Sequence, residues 1–99
     1  MRLTTLQAHI TKNTVNRVIG TSSRVWLFGS RTDDDLRGGD IDLLIEIDRV
    51  LPNRAEALCR LHGALTLALG DRKLDIVLKD AHTKETAIFE IAKRTGVLL

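Results

Sequence analysis

Residues 40–48, Asp-Ile-Asp-Leu-Leu-Ile-Glu-Ile-Asp, alternate so regularly that they constrain the fold more than any other stretch. Ile41, Leu43, Ile45 and Ile47 fall on one side of a period-two segment, and Asp40, Asp42, Leu44, Glu46 and Asp48 on the other. That is a strand with one face in a core and the other lining a wet cleft. Its head carries carboxylates at i and i+2, leaving the same face around the buried Ile41, with no lysine or arginine between them. Such neighbours repel, and proteins keep them mainly where a cation sits on them. Hard oxygen ligands beside a glycine-containing turn suit Mg²⁺ carrying substrate phosphates better than Ca²⁺ or Zn²⁺.

The rest of the chain supplies layers for that strand. Thr4 or Thr5 caps a helix over 4–19, with Leu6, Ile10 and Val18 along its packing side and Gly20 at its end. Residues 24–29 form a strand apolar on both faces, Trp26 being core, and the pair Gly29-Ser30 follows its apolar run Val25-Trp26-Leu27-Phe28. Residues 30–39 are a loop, in which Asp33, Asp34 and Asp35 read as a solvated acidic stretch because consecutive side chains do not converge. A second helix over 52–69 begins at Pro52-Asn53, with Glu56 in capping-box spacing, and stops at Gly70. Its apolar face takes in Ala55, Leu58, Cys59, Leu61, Leu65, Ala68 and Leu69, with His62 beside it.

Residues 73–79 alternate again, Leu74, Ile76 and Leu78 against Lys73, Asp75, Val77 and Lys79. A strand–helix–strand unit over 40–79 sets its two strands parallel and adjacent. Leu74, Ile76 and Leu78 then join the core and Asp75 emerges on the face of Asp40 and Asp42, so that three carboxylates converge. A last helix over 83–95 is capped by Thr83 and packs through Ile88, Ile91 and Ala92. Val97-Leu98-Leu99 either dock on the core or stay exposed for a partner. The expected class is α/β in an α+β-like arrangement, a small mixed three-stranded core sheet packed with about three helices, one domain over 1–99.

Composition closes off other classes. Ninety-nine residues with 43% hydrophobic and 28% charged make one soluble-type domain with a modest core. The net charge of +2 comes from scattered basic residues, so charge does not argue for nucleic acid. The single Cys59 forms no internal disulfide and reads as a buried thiol. No apolar run approaches the ~18 residues of a membrane span, and polar Thr4, Thr5, Gln7 and His9 do not suit a signal peptide. The expected location is the cytoplasm.

Gly29-Ser30, then Asp40-Ile41-Asp42-Leu43, then a later strand aspartate at Asp75, resembles the nucleotidyltransferases of the DNA polymerase β superfamily. The short chain is most similar to the minimal nucleotidyltransferases (MNT). The resemblance spans nearly the whole sequence and implies a nucleotidyltransferase fold. It implies that Gly29 and Ser30 hold the nucleotide's outer phosphates and that Asp40, Asp42 and Asp75 bind metal, two Mg²⁺ ions with ATP as substrate; Arg31, next in the motif, reads equally as a further phosphate contact or as a surface salt-bridge partner of Asp33 to Asp35. Asp75 would also help deprotonate the attacking hydroxyl. The sequence departs from the family at Thr32-Asp33-Asp34-Asp35, where many members have a small residue, an arginine and a glycine.

Minimal nucleotidyltransferases are frequently antitoxins encoded beside an all-helical HEPN-type ribonuclease toxin. Resemblance to them implies a protein that transfers AMP from ATP to a hydroxyl of such a toxin. Two other readings share the fold: a catalytically silent module that inhibits by occupancy, and a subunit acting on a small molecule or RNA.

Overall fold

Alternating strands need a partner on each face, and the computed structural model supplies both. It describes residues 3–28, 41–70 and 73–99. The elements are α1 (Thr5–Ile19), β1 (Ser23–Phe28), β2 (Ile41–Ile47), α2 (Arg54–Leu69), β3 (Leu74–Lys79), α3 (Ala87–Thr95) and β4 (Val97–Leu98). They form one mixed sheet in the order β3-β2-β1-β4. β1 runs antiparallel to β2 and β4, while β2 and β3 are parallel and adjacent, as the crossover requires. The three-stranded core sheet thus gains a fourth strand. Val97–Leu98 dock on the edge of β1, and the Leu99 amide donates to the Val25 carbonyl at 2.8 Å.

One face of the sheet packs on α1 and α2. Val25, Ile41, Leu43, Ile45, Ile47, Leu74 and Leu78 meet Val15, Ile19, Leu61 and Leu65 there, all buried. The opposite face carries a smaller cluster in which Leu44 packs on Phe89 and Ala92 of α3, flanked by Trp26, Phe28 and Val77. β1 is therefore packed on both sides, as its apolar run implies, and Trp26 packs, partly buried, against the smaller cluster. Thr4 caps α1 in a reciprocal pair with Gln7, both bonds 3.0 Å. Asn53 caps α2 by accepting from the Glu56 amide. Gly20 and Gly70 end these helices at φ of 110° and 90°, which glycine adopts without steric cost.

The helices are rotated from where their apolar residues alone would set them. In α1 the buried residues are Thr11, Thr14, Val15 and Ile19, while Leu6 is 69% exposed. The Thr11 hydroxyl donates back to the Gln7 carbonyl at 2.8 Å, so its polarity is satisfied and it packs as a small apolar group. In α2 the core takes Leu61 and Leu65, with Leu69 partly buried behind them. Cys59 lies about 200° around the helix from Leu61 and is exposed, not buried. α3 buries Phe89 and Ala92, leaving Ile88 and Ile91 about half-exposed.

That helix also starts later than Thr83, with Thr86 at its N-cap, because the Thr83 hydroxyl is committed to Asp80. Asp80 is buried and accepts from the Leu51 amide, the His82 amide and the Thr83 hydroxyl, each at 3.0 Å. It ties the segment after β2 to the turn after β3. The Leu51 amide, with Thr83 and His82 behind it, outweighs burial and pulls its carboxyl down to about 2.

Candidate functional site

The strand parity that puts Ile41 and Leu43 into the core turns Asp42 onto the α3 face, and the parity of Leu74 and Ile76 does the same for Asp75. Parallel pairing then sets Asp42 directly opposite Asp75, their Cα atoms about 4.8 Å apart by ordinary strand spacing. Asp42 is half-buried and Asp75 exposed, so neither points into the hydrophobic interior. On the other side of β2, Asp42 faces Phe28, the last residue of β1. The structure therefore brings Asp42 and Asp75 together on adjacent strands, next to the end of β1. Gly29, Ser30, Arg31 and Asp40, the other expected site residues, and the acidic stretch Asp33 to Asp35, lie outside the described residues.

Two carboxylates in register offer hard oxygen ligands alone, with no nitrogen or sulfur donor in the pair. That donor set fits Mg²⁺ in preference to zinc. Among the described residues no three His, Cys, Asp or Glu side chains gather as a metal-holding group, so this pair is what the described residues contribute.

Further along β2 the same face changes character. The alternation places Glu46 in a wet cleft, but its residue is 7% exposed and lies under α3. Lys93 Nζ donates to Glu46 Oε2 at 2.7 Å and Arg24 Nε to Oε1 at 3.1 Å, with Lys79 Nζ 3.7 Å from Oε2. Burial pushes the Glu46 carboxyl up, and the Lys93 and Arg24 bonds overcome it, so that the net shift is downward. Arg24 also grips Asp48 with two bonds of 2.7 and 3.2 Å, which lowers the Asp48 carboxyl and raises the guanidinium. The acidic face thus divides into the in-register pair Asp42 and Asp75 at one end and Glu46, neutralised by Lys93 and Arg24, at the other.

Only the first half of that division is readable from alternation. Glu46 needs Lys93, 47 residues away, and no local pattern signals it. The i, i+3, i+4 set of Phe89, Ala92 and Lys93 marks one side of a helix carrying a cation, but not the carboxylate that the cation meets.

Beside β3 lies a groove of ≈ 480 Å³, walled by Ala55 and Leu58 of α2, by Ile76, and by Phe89 of α3. It opens along the strand that carries Asp75. No helix among the described residues is long and apolar enough to cross a membrane. A family model described as a nucleotidyltransferase domain matches residues 11–96. No curated protein matches the chain at a significant level.

Proposed function

The chain belongs to the nucleotidyltransferase domain family, and from that premise we propose that it transfers AMP from ATP to a hydroxyl on a partner protein, a HEPN-type toxin whose antitoxin it would be. The observation that carries the reading is the in-register pair Asp42 and Asp75, on one face of the sheet beside the end of β1. The site motif in the sequence assigns the remaining parts: Gly29 and Ser30, with Arg31, for the outer phosphates, and Asp40 as a further carboxylate. Asp40, Asp42 and Asp75 would hold Mg²⁺, which when bound neutralises phosphate charge and steadies the entering and leaving oxygens.

In the reaction the acceptor oxygen forms a bond to the α-phosphorus of ATP. The bond from that phosphorus to the bridging oxygen breaks, pyrophosphate leaves with its electron pair, and the acceptor proton passes to the Asp75 carboxylate. Chemistry of this kind asks the protein mainly for positioning and charge neutralisation. Asp75 suits the proton-accepting role because it is the exposed member of the pair, open to an incoming hydroxyl. Asp42, half-buried between β1 and β3, suits the fixed ligand role.

The test incubates the purified protein with ATP, Mg²⁺ and the product of the neighbouring gene, and weighs that product. A mass gain of one nucleoside monophosphate, lost in Asp42→Asn, is the expected result. No gain with wild-type protein overturns the transfer reading. A partner neutralised equally well by Asp42→Asn would favour inhibition by occupancy.

A further inference from the structure

Among the described strands, β3 lies at an edge of the sheet. The Ile41 amide donates to the Lys73 carbonyl at 2.9 Å, and Leu43 is level with Ile76. In a parallel ladder of that register the main-chain groups of Lys73, Asp75, Val77 and Lys79 turn toward β2, and those of Leu74, Ile76 and Leu78 turn outward. Side chains of α2 cover two of the three outward carbonyls. His62 Nε2 is 3.3 Å from the Leu74 oxygen, and Arg54 Nη2 donates to the Leu78 oxygen at 2.7 Å. Covering a sheet edge in this way protects it from indiscriminate pairing. Ile76, midway between the covered positions, keeps both its N–H and its C=O open: among the described residues nothing bonds to either. The groove of ≈ 480 Å³ runs directly alongside, with Leu58 only partly covered at 36% exposure.

We propose that this groove is where the acceptor polypeptide docks. An extended segment of the partner pairs through one residue with the Ile76 main chain, seats that residue's apolar side chain against Ile76 and Leu58, and so presents the hydroxyl of the adjacent residue to Asp75. The inference rests on the transferase reading of Asp75 and deepens it by specifying the acceptor.

The chemistry of the edge selects the occupant. One donor and one acceptor on a single residue match the two bonds that directly opposed residues exchange in an antiparallel pair. A polypeptide backbone offers that complement together with an apolar side chain for the wall of Ala55, Leu58 and Ile76; an RNA strand, whose base edges and 2′-hydroxyls also carry a donor and an acceptor, brings no such side chain. Residues directly opposite each other share a face. The residue across from Ile76 therefore points to the α2 side, where Ala55 and Leu58 wait, and its neighbour points to the α3 side, level with Asp75. A slip of one residue would turn the hydroxyl away from Asp75 and the apolar side chain away from Leu58, and the covered carbonyls of Leu74 and Leu78 oppose a shift of the pairing to either of those positions. The substrate pattern is an apolar residue immediately adjacent to the hydroxyl-bearing one.

Synthetic capped hexapeptides test it: Ala-Ala-Leu-Tyr-Ala-Ala, the same with Asp in place of Leu, and one with Leu two positions from Tyr. With Mg²⁺ and ATP, the Leu-Tyr peptide should be modified about tenfold faster than either of the others. Leu58→Arg, at a partly exposed wall position, should lower kcat/KM for that peptide about tenfold while stabilisation by Mg²⁺–ATP is unchanged. Without nucleotide, the Leu-Tyr peptide should shift and protect the Ile76 amide in ¹⁵N spectra. Equal rates for the three peptides, full activity of Leu58→Arg, or an unmoved Ile76 amide would each overturn the docking inference. So would modification of the neighbouring gene's product by an enzyme that ignores all three peptides. Failure of Mg²⁺–ATP to stabilise the wild-type protein would instead remove the transferase reading underneath.

Discussion

Glu46→Gln isolates the junction that holds α3 over the sheet. The substitution keeps the side-chain shape and removes one charge from a carboxylate whose side chain is only 10% exposed. Two charge-assisted bonds are lost, to Lys93 at 2.7 Å and Arg24 at 3.1 Å. Each such bond contributes about 1.5–3 kcal/mol. Because Arg24 and Lys93 are 38% and 30% exposed, the lower end applies, which gives about 3 kcal/mol for the pair. The glutamine oxygen recovers about 1 kcal/mol by accepting one bond from a cation as an uncharged acceptor, while its amide group faces cations it cannot satisfy. The net cost is about 2 kcal/mol, a fall in Tm of about 8–16 °C for a domain of this size. Urea unfolding should show a lower midpoint at unchanged slope. Asp48→Asn is the control, since it breaks two bonds to the same Arg24 at a residue whose side chain is 69% exposed, where screening leaves little to lose. If Glu46→Gln costs no more than Asp48→Asn, burial of the hub is not what gives it weight, and the account of the α3 junction fails.

Acid should destabilise the fold in a defined window. Glu46, Asp48 and Asp80 all titrate lower folded than unfolded, so the native state binds fewer protons than the unfolded chain. Their stabilisation is complete above the ordinary carboxyl range and is lost as pH falls toward about 2, the Asp80 value; a stability profile flat from about pH 5 to 2.5 would contradict this. Gly96→Ala should open the α3–β4 junction. An added Cβ would lie 2.9 Å from the Leu27 oxygen and 3.1 Å from Phe28 Cβ, and would also run into the Ala92 carbonyl. A loss of about 1–3 kcal/mol, with faster hydrogen exchange at the Leu99 amide, is the expected reading, and unchanged exchange would refute it. Asp42→Asn should fold normally yet lose the Tm increase that Mg²⁺ and ATP together give the wild-type protein; an undiminished increase would remove Asp42 from the site.

The elements legible in the sequence are those whose pattern is set by immediate neighbours. β2 and β3 declare their faces because every second residue meets the same helical layer, and Gly20 and Gly70 mark helix ends by conformations that other residues resist. The misjudged surfaces depend on distant partners. Thr11 joins the core because a backbone carbonyl satisfies its hydroxyl, Glu46 is buried because Lys93 and Arg24 reach it, and the two residues of β4 are too few to show a period.

The aspartate pair is an intermediate case. Parity puts Asp42 and Asp75 on one face, but a slip of two residues would preserve parity and set Asp42 opposite Lys73 or Val77. What fixes the register is the crossover between them. α2 has 16 residues and spans about 24 Å, while the seven residues of β2 span about 23 Å. The helix therefore carries the chain back to the level at which β2 began, and the second residue of β3 arrives beside the second residue of β2. Lengthening α2 by one turn should displace Asp75 along the sheet while leaving it on the same face. Mg²⁺–ATP stabilisation would then be lost without loss of fold, and its survival would show that facing alone, and not register, makes the pair.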